Sequence, residues 1–251
     1  MRALSARDVI ELWETTVTAG PTERALAILG RAWPEIPSES LGAYPLGYRD
    51  GLLLELYRRT FGPELDLFVS CPCCGEGLEL EVTADDLLAR IPERTGDASF
   101  PDAVHELAVD EVTVCFRLPS SFDVMAAAEA PDHASARSLL LERVVVEAHR
   151  DGEEIVATEL DETTQGRLAT SLTSADPGAE LIFDLACEAC EHSWQALCDV
   201  IECFSYRLMV TARHLLREVH TLARGYGWRE VDILALSAPR RRVYLEMLAR
   251  D

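Results

Sequence analysis

Lysine is absent from this 251-residue chain, so all 23 basic residues are arginine. A GC-rich coding sequence is the expected origin of that bias, and no mechanism follows from it. Also missing is any run approaching the roughly 18 consecutive apolar residues that a membrane span requires. The first residues, Met1-Arg2-Ala3-Leu4-Ser5-Ala6-Arg7-Asp8, lead toward a helix and lack the continuous apolar stretch of a secretion signal, so a cytoplasmic location is expected. No H-E-x-x-H, P-loop, G-x-G-x-x-G or G-x-S-x-G motif occurs. Positive charge is scarce as well. Against 44 acidic residues the arginines leave a formal charge of −21, a field that repels phosphate backbones and anionic lipid. Neither nucleic acid nor a membrane is an expected partner, and no small-molecule substrate is indicated.

Hydrophobic residues make up 48% of the chain, enough for a sizeable core. The N-terminal part has helical periodicity, with Val9, Leu12, Trp13 and Val17 on one face. Ala25, Leu26, Leu29 and Trp33 follow, then Leu52, Leu53, Leu56 and Tyr57, with Arg49, Arg58 and Arg59 placed outside. Gly20-Pro21, Pro34, Pro37 and Gly62-Pro63 punctuate these segments, and Thr22 is a candidate cap. Strand alternation appears at 65–69, 78–82 and 111–118, and again at Leu181, Phe183 and Leu185. Residues 121–175 read as mainly helical, with 134–148 the best segment, and 173–179 as a linker. From about 199 to 223, Ile201, Phe204, Leu208, Ala212, Leu215, Val219 and Leu222 step by three or four, the signature of a long amphipathic helix. A short helix is expected over Trp228 to Leu236, and a last one after Ser237, with Pro239 and Arg240 to Arg242 in its first turn.

Chemistry is concentrated in the cysteines. There are eight, at 71, 73, 74, 115, 187, 190, 198 and 203. In a long chain with no secretion signal, metal binding is favoured over disulfides. Cys71-Pro72-Cys73-Cys74-Gly75 and Cys187-Glu188-Ala189-Cys190-Glu191-His192 each contain C-x-x-C between strand-like segments. Two intervening residues let the chain fold back so that both sulfurs face one ion, and two such knuckles supply four thiolates tetrahedrally around Zn²⁺. The expected metal ligands are therefore Cys71, Cys74, Cys187 and Cys190. Cys73 and His192 are alternatives; Cys73 lies inside the knuckle, and His192 is expected to rest beside Trp194. A ribbon usually separates its pairs by about 15–20 residues, whereas here residues 75–186 intervene, so an insertion at about 83–180 is expected between the ribbon halves. A closed four-thiolate site leaves no open position for substrate, which points to a structural ion in a non-enzyme. Cys115, Cys198 and Cys203 lie in apolar periodic segments and are expected as core thiols. Asp85-Asp86 and Glu153-Glu154 fit a helix start and a solvated turn better than a catalytic pair.

Three strings carry a family likeness. They are Pro45-Leu46-Gly47-Tyr48-Arg49-Asp50-Gly51-Leu52 with Thr60-Phe61-Gly62-Pro63 and the Cys71 knuckle, then Phe116-Arg117-Leu118-Pro119-Ser120-Ser121-Phe122-Asp123, then the tail through Tyr226-Gly227-Trp228-Arg229-Glu230 and Arg240-Arg241-Arg242-Val243-Tyr244-Leu245. Together they resemble baseplate proteins and baseplate-hub assembly chaperones of contractile-tailed phages and related injection systems. That resemblance implies a structural or assembly role, with baseplate, hub or tube subunits as partners, and transfers no catalytic residue. Glu191 stands where the knuckle pattern expects glycine.

The expected class is thus α+β: N-terminal helices (1–63), a split four-cysteine zinc ribbon with a largely helical α/β insertion (64–198) and C-terminal helices (199–251). A zinc-ribbon nucleic-acid binder is the alternative, opposed by the charge and by the lack of a basic, aromatic stripe. A zinc enzyme would need an open coordination position.

Overall fold

A computed structural model describes residues 1–91 and 103–250. Residues 92–102, inside the expected insertion, lie outside the described residues, as does 251. The N-terminal helices are α1 (Ala6–Thr16), α2 (Pro21–Ala32), α3 (Ser38–Ala43) and α4 (Leu46–Phe61). Ser5 caps α1 through a capping box in which its hydroxyl accepts from the Asp8 amide and Asp8 accepts from the Ser5 amide. Gly20 occupies the cap position of α2 and Pro21 its first turn, so Thr22 lies within the helix and is not its cap.

Two hairpins follow the same plan. β1 (Glu64–Ser70) pairs antiparallel with β2 (Gly77–Thr83), and β7 (Ile182–Ala186) pairs antiparallel with β8 (Ser193–Leu197). Each turn contains one of the cysteine knuckles. Both hairpins stand on one core, built from α1 to α4, the short helix α5 (Ala84–Leu88) and the long helix α9 (Val200–Tyr226). Leu65 and Leu181 anchor the two hairpins in it, while Tyr57, Phe61 and Phe204 meet edge to face beneath them at 5.2 to 5.8 Å.

Between the hairpins, β3 (Val104–Val109), β4 (Val112–Arg117), β5 (Val145–Arg150) and β6 (Glu153–Glu154) form an antiparallel sheet in that order. Val112, Val114 and Phe116 point from β4 into a second core, against Leu168 of α8 (Glu162–Ala175) and Leu160. α6 (Ser121–Ala128) and α7 (His133–Val144) complete this lobe. The expected helix over 134–148 is corrected here: it ends at Val144, and 145–150 become β5. Val144-Val145-Val146 explains the switch, because consecutive β-branched side chains lose rotamer freedom in a helix and pack well on a pleat. α8 likewise runs through Ala175, into the segment read as a linker.

The lobe meets the helical body at the start of α4. Leu46 donates its amide to Pro119 O, Gly47 donates to Asp176 Oδ2 at 2.9 Å, and Arg49 reaches Ser121 Oγ. Arg49 is only 5% exposed and also donates to Asp50 at 2.7 Å, which corrects its expected solvated place. Burial pushes the Asp50 carboxyl up, against the pull of the neighbouring guanidinium. After α9 come α10 (Glu230–Leu234) and α11 (Ala238–Leu248), which close a third small core around Val219, Leu222 and Ile233. Gly227 ends α9 in the left-handed conformation at φ 70°.

Candidate metal centre

Six residues separate the paired strands in each knuckle, and the two turns have matching hydrogen bonds. Cys71 donates its amide to Glu76 O at 2.7 Å and Gly75 donates to Cys71 O at 2.9 Å. In the second turn Cys187 donates to His192 O at 2.9 Å and Glu191 donates to Cys187 O at 2.8 Å. The fifth residue of each turn is left-handed: Gly75 at φ 78° and Glu191 at φ 59°. Glycine takes that conformation freely, whereas a side chain costs about 1 kcal/mol or more. Glu191 thus adopts the shape expected of the glycine it replaces, under strain.

These turns aim four sulfurs at one point. Cys71 Sγ lies 3.7 Å from Cys190 Sγ and Cys74 Sγ lies 3.6 Å from Cys187 Sγ; all four are within 4.8 Å of one another. A tetrahedron with Zn–S of about 2.3 Å has edges of about 3.8 Å. The spacing therefore suits an ion of that size with soft ligands. Cys71 and Cys187 are buried, and Cys74 and Cys190 are the exposed pair.

The four thiols also shift one another's ionisation. For Cys71, burial opposes ionisation, but amide donation from Cys74 and Cys73 and the neighbouring thiols outweigh it and bring the thiol down to about 7. Cys190 and Cys74 are both pushed up, although backbone donation from His192 and Glu76, respectively, favours their thiolates. Once one sulfur carries charge, its neighbours resist carrying more unless a cation sits among them.

The other candidates fall away from this cluster. Cys73 is exposed and outside it, and His192 stacks on Trp194 with ring centroids 6.0 Å apart. Cys198 is buried in the main core with Cys203 packed against it, and Cys115 is half-buried on β4. Asp85 and Asp86 open α5, where Thr83 and Asp86 form a capping box, and Asp85 accepts from Arg58. Glu153 and Glu154 form the short edge strand β6 rather than a turn. Among the arginines, Arg59 pairs with Glu55, and Arg241 is buried against Glu218 at 2.7 Å. That contact ties α11 to α9.

Comparison with known families adds a decisive observation. The model of a family described as T4 bacteriophage base plate protein matches residues 29–204. The chain belongs to this family. The matched region begins in α2, takes in the lobe and both knuckles, and ends in the first turns of α9, so the sulfur cluster lies wholly inside it. No curated protein and no solved structure matches the chain. A baseplate-related structural role follows from membership. Among the described residues no helix is long and apolar enough to cross a membrane.

Proposed function

We propose that this baseplate-family chain is a non-catalytic component or assembly factor of the baseplate or hub of a contractile phage-tail-like particle. A structural Zn²⁺ on Cys71, Cys74, Cys187 and Cys190 clamps it. The observation that carries this reading is the coincidence of the family match over 29–204 with a four-sulfur cluster whose spacing suits tetrahedral zinc. Zinc would fix the tips of two hairpins that the chain reaches before and after a long lobe. Closing such a loop costs entropy that grows only slowly with length, and a metal clip offsets it. With four thiolates the ion has no open position, so its role is mechanical.

The division of the chain follows from this reading. Residues 1–63 and 199–251 supply helices for docking, 64–198 the ribbon, and about 83–180 the inserted lobe. The partners are other protein subunits of a baseplate, hub or tube, met in the cytoplasm where tails are built. The test is genetic and visual. Deleting the gene in a producing strain should leave particles without a complete baseplate by electron microscopy. Mass spectrometry of purified wild-type particles then separates a resident component, which is present, from an assembly factor, which is not. Intact, functional particles from the deletion strain would refute both forms.

A further inference from the structure

The longest helix of the fold leaves a face uncovered. While α9 buries Phe204, Leu208 and Leu215 in the core, it exposes Tyr206, Val210, Arg213, Arg217, His220 and Arg224. Their numbers step by four, three, four, three and four, so they form one straight row about 27 Å long. Tyr206 is 52% exposed and Val210 40%, and the three arginines follow toward the C-terminal end. The row is apolar at its N-terminal end and basic beyond it.

Charge makes this row unusual. Residues 1–204 hold 14 arginines and 39 acidic residues, whereas 205–251 hold nine arginines and five acidic residues. The tail is thus basic on an acidic body. Many of the other arginines are used within the chain: Arg7 and Arg31 on Glu11, Arg58 on Asp85, Arg59 on Glu55. Among the described residues, the side chains of Arg213, Arg217 and Arg224, like those of Arg167 and Arg242, have no hydrogen-bond or ion-pair partner, in a chain with nearly twice as many acids as bases; only the first three line up on one face.

We infer that the exposed face of α9 is a docking surface for an acidic amphipathic helix of another subunit, which lays apolar side chains on Tyr206 and Val210 and carboxylates along Arg213, Arg217 and Arg224. The spacing is that of a two-helix seam, in which contacts recur every 3.5 residues. Arginine suits the role, since its planar fork grips carboxylates in pairs. Nucleic acid fits less well: a duplex offers nothing apolar to Tyr206 and Val210, and its backbone would run on past the row toward an acidic body. A second copy fits less well too, because no helix among the described residues carries three acidic residues at helical spacing on one exposed face. The inference deepens the baseplate reading by giving the partner's chemistry, and rests on it for where that partner is found.

The experiment uses the intact zinc-loaded protein and a labelled synthetic helix of about 20 residues, with leucines at one end and glutamates at seam spacing beyond them. A peptide of the same composition in scrambled order is the control. Fluorescence anisotropy should show binding of the patterned helix that weakens with salt, and at least tenfold weaker binding of the scrambled one. The variant R213E/R217E/R224E, altered only at exposed positions, should keep the native circular dichroism and lose the interaction. Y206A should weaken binding severalfold without changing its salt dependence. The inference is overturned if the patterned helix does not bind, or if R213E/R217E/R224E binds it as well as wild type. It is equally overturned if duplex DNA binds more tightly through the same arginines, or if sedimentation shows a self-association that the triple variant abolishes. Binding of the patterned helix through the arginines while no tail subunit co-purifies with the chain would keep the surface and sink the baseplate reading. Tail-subunit copurification unaffected by the triple variant would do the reverse.

Discussion

Cys71 and Cys190 lie 119 positions apart in the chain, yet their sulfurs are 3.7 Å apart. Among the described residues no main-chain pairing joins the two hairpins, which belong to separate two-stranded sheets. They converge because both are rooted in the core between α4 and α9, with Leu65 under one and Leu181 under the other. The sulfur cluster is therefore a consequence of helical packing, and a metal bound there would tie together tips that the packing has already brought near.

The first prediction concerns the ion. Purified protein should contain one zinc per chain by elemental analysis, released by a thiol-modifying reagent and detected with a chromogenic chelator. C187S should lose the zinc and unfold at markedly lower denaturant, because structural zinc sites carry a large share of the folding energy in small metal domains. The helical body should keep part of its circular dichroism, since its core does not pass through the four clustered cysteines. C73S should retain the metal and the wild-type stability, as Cys73 is exposed and outside the cluster. A zinc-free wild-type protein of unchanged stability would rule out the clamp.

Glu191 offers a test with the opposite sign. It holds φ 59° in the turn position where the first knuckle has Gly75. Glu191→Gly relieves a left-handed side chain, worth about 1–2 kcal/mol, and gives back part of that gain through the more flexible unfolded chain. The net expectation is stabilisation of about 0.5–1 kcal/mol in chemical denaturation, with slower zinc release to a competing chelator. Gly75→Ala should do the reverse by a similar amount, since its Cβ has open space and only the backbone conformation opposes it.

How far these features could be read beforehand depends on the range of the interactions behind them. The two turns are legible because their C-x-x-C spacing recurs between alternating residues, and those residues define the hairpins. The long helix α9 was legible from its buried row alone. Its exposed row is not legible from periodicity, because arginines on a solvated face are ordinary and only the acidic charge of the rest of the chain sets these apart. The burial of Arg49 is not legible because Ser121, which it touches, is 72 positions away. β5 reads as helix in the sequence because Leu139, Leu140, Arg143, Val144 and Ala148 fit a helical period, and nothing local says that β4 pairs with it from Val145.

The junction between body and lobe supplies a third prediction. A Cβ on Gly47 would lie 2.3 Å from Asp176 Oδ1 and 2.7 Å from the amide nitrogen of Ala179. One of those neighbours is backbone, so it cannot swing away. Gly47→Ala should cost about 1–3 kcal/mol, the usual penalty for overpacking a tight contact. Hydrogen exchange should then rise around 45–49 and 176–179 while the sulfur cluster keeps its zinc. Gly166, which has open space beyond its Cβ position, is the control: Gly166→Ala lies within α8 and should stabilise by up to about 1 kcal/mol.

Acid sensitivity is the fourth. Asp123 is fully buried, which by itself opposes ionisation, but it accepts hydrogen bonds from Arg117 at 2.7 and 2.8 Å, from Arg143 at 2.7 Å, and from the Ser120 amide and hydroxyl at 2.8 Å. These hold the carboxyl well below the usual carboxylate range. Asp8 is depressed in the same way, against the cost of its burial, by Arg2 and Ser5. A carboxyl with a lowered folded pKa stabilises the fold above its unfolded value near about 4, and that stability is lost as pH falls below it. Asp50 has the opposite sign: burial raises it, so its protonation favours the fold as pH falls through its raised value and offsets part of the loss. Thermal unfolding should therefore be nearly flat from about pH 8 to about 5 and shift down below about 4. Zinc thiolates also take up protons in acid, so a zinc-sensitive dye is needed to separate the two events: carboxylate loss should continue after the metal has left. D123N should destabilise by about 3 kcal/mol at neutral pH, because it strips the charge from a buried ion cluster, and should flatten the acid limb. If D123N keeps the wild-type slope below about pH 4, the cluster on α6 is not what makes the fold acid-sensitive.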